Sequence, residues 1–248
     1  MTDLLIDLGN SRVKWAQSGP GCWLPGAAVH RDHDIAGVLD QAWNELPPPK
    51  RIVLVSVAAA DITGALEYWM QDRWKLAAYR VRAQRAQLGV VNSYREPETL
   101  GADRWAALLG ARGITEGACV VVDCGTAVTV DALSSDGVFA GGVIFPGLEL
   151  TRASLGAGTA GIGCAQGNDA SVLAQATADA VAAGAAFGVA GAIERILKEQ
   201  EHALGAEIEV FITGGDAPAL APRLDRPTLY MPDLVLKGLA RVAEELIV

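Results

Sequence analysis

The sequence predicts an α/β protein built from two related halves, because two stretches of similar design lie nearly half the chain apart. In each stretch an apolar, β-branched run ends at an aspartate, a glycine follows two residues later, and small polar residues come next. The first stretch is Leu4–Trp15, with its carboxylate at Asp7. The second is Cys119–Leu133, with its carboxylate at Asp123. We therefore expect one α/β design in residues 1–115 and again in residues 116–248.

The first half begins with a hairpin and continues with helices and one buried strand. Leu4–Asp7 and Val13–Gln17 are predicted to form the hairpin, and Gly19–Gly26 is predicted as a turn-rich break. Ile35–Leu46 is predicted as a helix because its apolar residues recur at helical spacing. The other predicted elements of this half are a buried strand over Arg51–Val57, a helix from Asp61 through Trp74, a short strand at Ala78–Val81, a loop over Gln84–Thr99 and a helix from Leu100 through Ala111.

The second half repeats this order. Its predicted elements after the hairpin are a strand over Gly137–Ile144, a helix over Leu148–Leu155, a long Ala-rich helical region over Val172–Lys198, a buried strand over Ile208–Thr213 and a closing helix over Leu234–Glu245. Gly184, Gly188 and Gly191 fall on one face of the long helix. Glycines at this spacing let another helix approach closely, so we expect a packing or dimer seam there.

Composition restricts the class of function. The 248 residues are 51% hydrophobic, carry a net charge of −9 and have a pI of about 4.8. Such a charge argues against a general nucleic-acid surface. The longest weakly polar stretch, Ala180–Ile193, is shorter than the roughly 20 residues that cross a bilayer, so no membrane segment is expected. The chain has no recognisable signal peptide and its four cysteines show no C-x-x-C spacing, which predicts a cytoplasmic protein with reduced thiols.

The two aspartate-glycine turns have the chemistry of a nucleotide phosphate site. Glycine lets backbone N–H groups approach a phosphate chain closely, and the hydroxyls of Ser11, Thr126 and Thr129 add donors. A carboxylate beside a polyanion requires a cation between them, and Mg²⁺ is bound in proteins by one or two carboxylates together with phosphate oxygens. Lys14 adds a positive charge near the first turn. A single Asp-x-Gly is also an ordinary hairpin turn, but a second copy in the same frame favours the phosphate function.

Six blocks of the sequence, in this order, resemble the type III pantothenate kinases, also called the Bvg accessory factor family. These blocks are D-L-G-N-S-R-V-K (Asp7–Lys14), L-G-A-D-R-W-A (Leu100–Ala106), D-C-G-T-A-V-T-V-D (Asp123–Asp131), G-G-V-I-F-P-G (Gly141–Gly147), F-I-T-G-G-D-A (Phe211–Ala217) and P-D-L-V-L-K-G-L (Pro232–Leu239). The resemblance covers essentially the whole chain. It implies an α/β fold of duplicated ribonuclease-H-like halves, as in actin-like ATPases and sugar kinases, with a cleft between them.

The resemblance also implies the nucleotide site. The first ATP phosphate loop would consist of Asp7, Leu8, Gly9, Asn10, Ser11, Arg12, Val13 and Lys14. In the second loop, Thr126 would contact ATP and Asp123 would hold a monovalent cation, K⁺ or NH₄⁺. The cofactors implied are therefore ATP, Mg²⁺ and this cation. Ser11 stands where the family more often has threonine, which keeps the hydroxyl.

The implied reaction is ATP-dependent phosphorylation of pantothenate to 4′-phosphopantothenate, the first step of coenzyme A biosynthesis. The implied substrate contacts are Tyr94, Gly101, Ala102, Asp103, Arg104 and Thr177. Thr177 would reach pantothenate from the dimer side of the pocket, which implies a homodimer. Asp103 is the implied proton acceptor, and its place in a helix first turn should keep it ionised at neutral pH. Without the resemblance, Asp103 would be interpreted as an acidic residue at the N-terminus of a helix and Arg104 as a solvated arginine.

Two other functions fit the same motifs. A protein of this fold could bind nucleotide as a regulator, and it would then bind ATP without producing phosphopantothenate. The superfamily also includes phosphatases that hydrolyse polyphosphate or a nucleotide alarmone, but these should have a long basic channel, which a net charge of −9 does not indicate. The kinase is favoured because the substrate-side block Leu100–Ala106 accompanies both phosphate loops.

The three histidines, His30, His33 and His202, fall on polar segments, so we expect no metal or catalytic role for them. His30 and His33 frame the sequence H-R-D-H and could supply a pair of metal ligands. A solvated loop is the expectation for this segment.

Overall fold

The structure is a computed structural model that describes residues 2–30, 34–159, 162, 167–169 and 171–246. Its elements up to residue 116 are β1 (Asp3–Leu8), β2 (Arg12–Gly19), β3 (Cys22–Val29), α1 (Ile35–Trp43), β4 (Ile52–Ser56), α2 (Ala60–Trp74), β5 (Ala78–Arg80), β6 (Ala86–Gln87), β7 (Val90–Asn92), a 3₁₀ turn (Pro97–Thr99) and α3 (Ala102–Arg112). The elements that follow are β8 (Cys119–Cys124), β9 (Ala127–Leu133), β10 (Val138–Pro146), α4 (Leu148–Gly158), α5 (Thr177–Leu204), β11 (Glu209–Thr213), α6 (Ala217–Leu220), a 3₁₀ turn (Ala221–Arg223), β12 (Leu229–Tyr230) and α7 (Leu234–Glu245). The chain forms two compact units, Met1–Glu116 with Asp233–Val248, and Gly117–Pro232.

The first unit contains a five-stranded sheet in the order β3-β2-β1-β4-β5. Strands β1, β2 and β3 form an antiparallel meander, and β4 and β5 continue the sheet in parallel. Strand β4 is buried over Ile52–Val55, as its near-continuous apolar run predicts. One side of the unit packs around the rings of Trp15, Trp43, Trp69 and Trp74, whose centroids lie 5.0 to 5.8 Å apart.

The prediction of a turn-rich break at Gly19–Gly26 is wrong, because β3 occupies most of it. The strand pairs with β2 from Cys22 opposite Gly19 to Val29 opposite Arg12. Its position at the sheet edge tolerates a proline. Gly26 is also required there, since a Cβ on it would collide with the indole of Trp15.

The second unit repeats the topology of the first. Its strands pair in the order β12-β11-β8-β9-β10, with β8, β9 and β10 antiparallel and β11 and β12 parallel to β8. Strand β8 therefore takes the place of β1, and β11 takes the place of β4. This correspondence confirms that one α/β design occurs twice.

The last helix belongs to the first unit, whereas the sequence expectation placed everything from 116 to 248 in the second half. Helix α7 crosses α3 at two glycines, Gly110 and Gly238, and a Cβ on Gly238 would collide with the carbonyl of Ala106. Arg241 of α7 also donates to the carbonyls of Leu109 and Leu88. The missing side chains let the two helix backbones approach closely, which fixes α7 on this unit.

Helix α5 is the core helix of the second unit. Its inner face, including Ala186, Val189 and Ile193, packs in the main apolar cluster of that unit. Among the described helices it is the one long and apolar enough to cross a membrane, with a window of mean hydropathy 1.5 that is 44% buried inside the protein. The core helix of a soluble protein meets the same length and composition criteria.

Candidate active site

The segment predicted to be the first phosphate loop is the turn between β1 and β2. The N–H of Gly9 donates to the carbonyl of Arg12 at 3.0 Å, which closes the turn, and the N–H of Val57 donates to the carbonyl of Leu8. Asn10 and Arg12 are exposed, whereas the side chains of Leu8 and Val13 lie fully in the apolar core. The buried pair therefore anchors the loop at both ends, and Asn10 occupies its exposed tip.

His30 lies directly beside this loop, and it is not part of a solvated loop as the sequence led us to expect. The residue is 3% exposed. Its ring Nε2 is 2.8 Å from the carbonyl oxygen of Gly9, and its backbone N–H donates to the carbonyl of Ser11 at 3.1 Å. Arg31, Asp32 and His33 lie outside the described residues, so the suggested pair of histidine ligands is not tested.

The second loop joins β8 to β9 and repeats the closure of the first. The N–H of Gly125 donates to the carbonyl of Ala127 at 3.1 Å, and Thr126 is exposed at the tip. Gly147 packs against this turn, where its N–H donates to the carbonyl of Thr126, and a Cβ on Gly147 would collide with the carbonyl of Gly125. Glycine at both positions therefore allows two backbone segments to meet at the loop.

Asp123 lies at the base of the second loop, against the turn that follows β11. Gly214 has φ +96°, and a Cβ on it would lie 2.6 Å from Oδ1 of Asp123. The N–H of Asp216 donates to the carbonyl of Cys124 at 2.9 Å. Burial raises the pKa of the Cys124 thiol, and the negative charges of Asp123 and Asp216 raise it further. The thiol is therefore protonated, and two carboxylates contribute negative potential to this end of the sheet.

The neighbourhood of Asp123 offers oxygen atoms that could hold a cation. Thr129 is its direct partner across the β8–β9 ladder, so both side chains project from the same face. The Thr129 hydroxyl is buried and has no hydrogen-bond partner among the described residues. Within the same ranges, no group of three or more His, Cys, Asp or Glu side chains could hold a metal ion. Asp123 and Thr129 therefore present two oxygen ligands on one face of the sheet.

Asp103 occupies the first turn of α3, next to Gly101 at the N-cap. A Cβ on Gly101 would lie 2.7 Å from its Oδ1, and the N–H of Arg104 donates to the same oxygen at 2.8 Å. The carboxylate is thus fixed between the glycine and the N–H groups in the first turn of the helix. Such N–H groups stabilise a negative charge.

The pKa of Asp103 is raised above the usual value for an aspartate. Burial is the largest cause, and the hydrogen bond from the Arg104 N–H and the positive charge of Arg104 oppose it. The expectation considered only the start of the helix, which stabilises the charged carboxylate. Desolvation raises the pKa by more than the neighbouring N–H groups and Arg104 lower it. A carboxylate of raised pKa is the better proton acceptor.

Arg104 is 7% exposed, which contradicts the interpretation of it as a solvated arginine. Its guanidinium donates to the Tyr94 hydroxyl at 3.2 Å and lies 5.9 Å from the centre of that ring. Tyr94 is held in turn by Asn92, whose Oδ1 accepts from the Tyr94 N–H at 3.0 Å while its Nδ2 donates to Pro97 at 3.1 Å. Asn92 is fully buried. The stretch predicted as a loop is thus an ordered support for Tyr94 and Arg104.

Thr177 is the first residue of α5 and is exposed. The segment before the helix is fixed to the second unit at two points. The N–H of Asn168 donates to Asp179 at 2.7 Å, and Asp169 pairs with Arg223 at 3.0 Å. A Cβ on Gly167 would also collide with the backbone of Ala178.

The predicted site residues divide between the two units. The first loop and the cluster of Tyr94, Gly101, Ala102, Asp103 and Arg104 belong to the first unit, and Asp123, Thr126 and Thr177 belong to the second. Sequence reasoning missed His30 and Asn92 as supports. His30 directly follows β3 and Asn92 is the last residue of β7, so their burial can be recognised only once the pairing of these strands is known.

Comparison with known proteins identifies the family. A sequence model described as type III pantothenate kinase matches residues 3–199. A type III pantothenate kinase of Nitrosococcus oceani is 40% identical over 98% of this chain and 94% of its own length. The enzyme of the same name from Alkalilimnicola ehrlichii is 39% identical over 98% of both chains.

Solved structures of low sequence identity share the fold. A Campylobacter jejuni protein named as a Baf family transcriptional activator has a TM-score of 0.62 at 22% identity, covering 98% of both chains. The activator of 2-hydroxyisocaproyl-CoA dehydratase from Clostridium difficile, solved with bound ADPNP, has a TM-score of 0.54 at 11% identity, covering all of this chain and 97% of the other. These likenesses and the repeated strand order confirm the duplicated ribonuclease-H-like fold class. The family model over residues 3–199 and relatives about 40% identical over 98% of the chain show that this chain belongs to the type III pantothenate kinase family.

Proposed function

We propose that the chain transfers the γ-phosphoryl group of ATP to the terminal hydroxyl of pantothenate, giving 4′-phosphopantothenate. The observation that carries this function is the fixed carboxylate of Asp103, which has a raised pKa and lies beside the buried cation Arg104. Relatives that match 98% of the chain bear the name of this enzyme. The kinase family and the fold support the use of ATP.

Asp103 is the proposed proton acceptor for the substrate hydroxyl. Phosphoryl transfer passes through a loose transition state in most analyses, so alignment of the hydroxyl matters more than a strong base. Asp103 accepts a hydrogen bond from the hydroxyl, orients it, and takes its proton late in the transfer. The carboxylate keeps one position because Gly101 leaves room for it and the Arg104 N–H holds it.

Arg104 and Tyr94 are the proposed substrate-positioning pair, together with Gly101 and Ala102. Pantothenate carries a carboxylate, and a guanidinium is well suited to bind one. Because Arg104 is already held by the Tyr94 hydroxyl, its charge is directed before substrate arrives. Thr177 is the proposed substrate contact from the dimer side of the pocket.

The first loop, Asp7 through Lys14, is the proposed phosphate site, with Thr126 as a further ATP contact in the second loop. Backbone N–H groups at the exposed tip around Asn10 can donate to phosphate oxygens, and Lys14 adds positive charge. Mg²⁺ held near Asp7 would neutralise charge on the phosphate chain during transfer. The strand register supports this proposal, because Asp7 pairs with Lys14 across the β1–β2 ladder and both charges therefore lie next to the loop.

Asp123 is the proposed ligand of a monovalent cation, K⁺ or NH₄⁺. The orphaned hydroxyl of Thr129 on the same face of the sheet supports this assignment. Such an ion would add a positive charge at the second loop. A monovalent cation is larger than Mg²⁺ and carries less charge. It is therefore better suited to several neutral oxygen ligands with one carboxylate than to a compact cage of carboxylates.

A homodimer is the proposed assembly, formed by the outer face of α5. Among the described residues, nothing lies within 4 Å of a Cβ built on Gly184, Gly188 or Gly191, so these glycines do not serve a close contact within that part of the chain. Phe187 lies exposed between them, and Ile144 of β10 is 61% exposed in the same unit. Phe187→Arg should convert the dimer to a monomer in size-exclusion chromatography with light scattering. A wild-type monomer would contradict the assembly.

The proposed place of action is the cytoplasm, with pantothenate and ATP as the small-molecule partners. Neither nucleic acid nor a membrane is a proposed partner, because the net charge is −9 and the apolar inner face of α5 packs in the core of its own unit.

The test of this function is identification of the product. The protein is incubated with ATP, Mg²⁺, K⁺ and pantothenate, and ³¹P NMR and mass spectrometry follow the phosphate. A new phosphomonoester on pantothenate, formed together with ADP, is the expected result. ATP binding without this product would instead indicate a nucleotide-binding regulator, and release of inorganic phosphate without pantothenate would indicate a phosphatase.

A further inference from the structure

We infer that His30 is a positioning residue for ATP, acting through the first phosphate loop. The inference rests on the proposed nucleotide role of that loop. It assigns a function to a buried histidine that the proposed mechanism does not otherwise use.

The strand register brings His30 to the loop. Val29 is the last residue of β3 and pairs with Arg12, so His30 comes next to Ser11 just beyond the strand. The bond from its N–H to the Ser11 carbonyl extends the ladder into the loop. The imidazole then reaches the Gly9 carbonyl on the other side of the turn. One residue thus holds both arms of the loop.

The ring must donate in this contact. A carbonyl oxygen only accepts hydrogen bonds, so Nε2 of His30 carries a hydrogen. The 2.8 Å separation is that of a well-formed hydrogen bond. Because His30 is 3% exposed, water offers little replacement for the bond if the imidazole is removed.

The bond sets the direction of a phosphate donor. Gly9 and Asn10 share one planar trans peptide, in which the C=O and N–H groups point in opposite directions. When His30 holds the Gly9 carbonyl on the buried side, the Asn10 N–H is directed to the opposite side. Asn10 lies exposed at the loop tip. His30 therefore fixes the peptide in the orientation that offers its N–H to a phosphate oxygen.

The test measures ATP binding and turnover in two variants of His30. His30→Gln keeps an N–H donor at nearly the same reach, and His30→Met fills similar space without a donor. Isothermal titration with ATP and Mg²⁺, without pantothenate, gives the dissociation constant. Steady-state kinetics give the KM for ATP and the KM for pantothenate separately.

Two control variants separate positioning from general loss of stability. Asp40→Ala removes the acceptor of the 2.8 Å bond from Trp69 Nε1, which destabilises the same unit away from the loop. His202→Met changes an exposed histidine of the second unit. Melting temperatures are recorded for every variant.

His30→Met should weaken ATP binding and raise the KM for ATP about tenfold, because one buried hydrogen bond is lost. The KM for pantothenate should stay within about twofold. His30→Gln should restore most of the ATP affinity, while Asp40→Ala should lower the melting temperature and leave ATP binding unchanged.

The inference is overturned if His30→Met binds ATP as tightly as the wild type, if Gln restores nothing, or if Asp40→Ala weakens ATP binding to the same extent. A wild type that does not bind ATP overturns it too. If ATP binding follows the expected order but pantothenate is not phosphorylated, the proposed reaction fails and the role of His30 stands.

Discussion

Gly101 and the carboxylate of Asp103 share one small space, since a Cβ on Gly101 would lie 2.7 Å from Oδ1 of Asp103. Gly101→Ala should therefore displace the carboxylate while the chain still folds, because the backbone at this position (φ −53°, ψ 132°) suits alanine. A misplacement of about 1 Å at a reacting group costs on the order of 100-fold in rate. We expect a fall of that size in kcat, measured by ADP release.

Gly64→Ala is the matched control for this substitution. Gly64 lies within α2, and no atom of the residues that the structure describes is within 4 Å of a Cβ built on it. Alanine there should raise the free energy of unfolding by about 0.5–1 kcal/mol and leave kcat unchanged. Equal activity in Gly101→Ala and Gly64→Ala would show that the position of Asp103 does not limit the rate.

Asp103→Asn should abolish turnover without loss of stability. Burial raises the pKa of this carboxyl in the folded chain, so its charged form costs stability once the pH exceeds the unfolded value. Asparagine removes that cost at neutral pH and can still accept from the Arg104 N–H. Urea unfolding at neutral and at acidic pH is the measurement. The variant should match or exceed the wild type at neutral pH, and the difference should shrink on acidification.

The same raised pKa sets the acid limit of activity. Asp103 must be unprotonated to accept the hydroxyl proton, so kcat should fall as the pH drops through its pKa, at a higher pH than for an ordinary aspartate. A profile of kcat against pH, recorded where the protein stays folded, measures this limit. An acid limb at the pKa of an unperturbed aspartate would contradict the role of burial.

Tyr94→Phe should weaken pantothenate binding more than catalysis. The substitution keeps the ring near Arg104 and removes the hydroxyl that accepts from the guanidinium at 3.2 Å. Loss of one hydrogen bond to a buried charged group should raise the KM for pantothenate about tenfold. Tyr68→Phe, at a side chain that is 74% exposed, is the control and should leave the KM unchanged. An unchanged KM for pantothenate in Tyr94→Phe would show that the hydrogen bond between Tyr94 and Arg104 does not contribute to substrate binding.

Gly214→Ala should destabilise the second unit. The residue has φ +96°, where side chains are strained, and a Cβ there would also collide with the carbonyl of Cys124. We expect a loss of about 2–4 kcal/mol in the free energy of unfolding, measured by denaturant titration. Gly205 has φ +63° with open space around it, so Gly205→Ala should cost only about 1 kcal/mol. Equal losses would show that strain alone, without the collision, explains the requirement for glycine.

Local sequence signals predicted most of the fold. The two hairpins were recognisable because apolar runs stop at Asp-x-Gly turns. Their first strands, Asp3–Leu8 and Cys119–Cys124, begin and end close to the predicted positions. The repeated order of elements also predicted the repeated topology. These features depend on residues that are neighbours in sequence.

Features that depend on distant partners were missed. Strand β3 contains Pro25 and Gly26, which are turn signals, and only its pairing with β2 makes it a strand. Helix α7 joins the first unit through close contact of Gly238 with Ala106, which no local pattern indicates.

The candidate site shows the same division. The motif located Asp103 and Arg104, but the burial of Arg104 and the raised pKa of Asp103 come from the tertiary environment. His30 was expected to be solvated. Its burial follows from the pairing of Arg12 with Val29, which the local sequence does not indicate.

The most direct test of the account is a coupled ADP-release assay with ATP, Mg²⁺ and pantothenate, run in K⁺ and in Na⁺, on the wild type and Asp103→Asn. Turnover should depend on pantothenate, require K⁺ and be lost in the variant. An absence of turnover in either salt, from a folded protein that still binds ATP, would contradict it and leave a nucleotide-binding regulator.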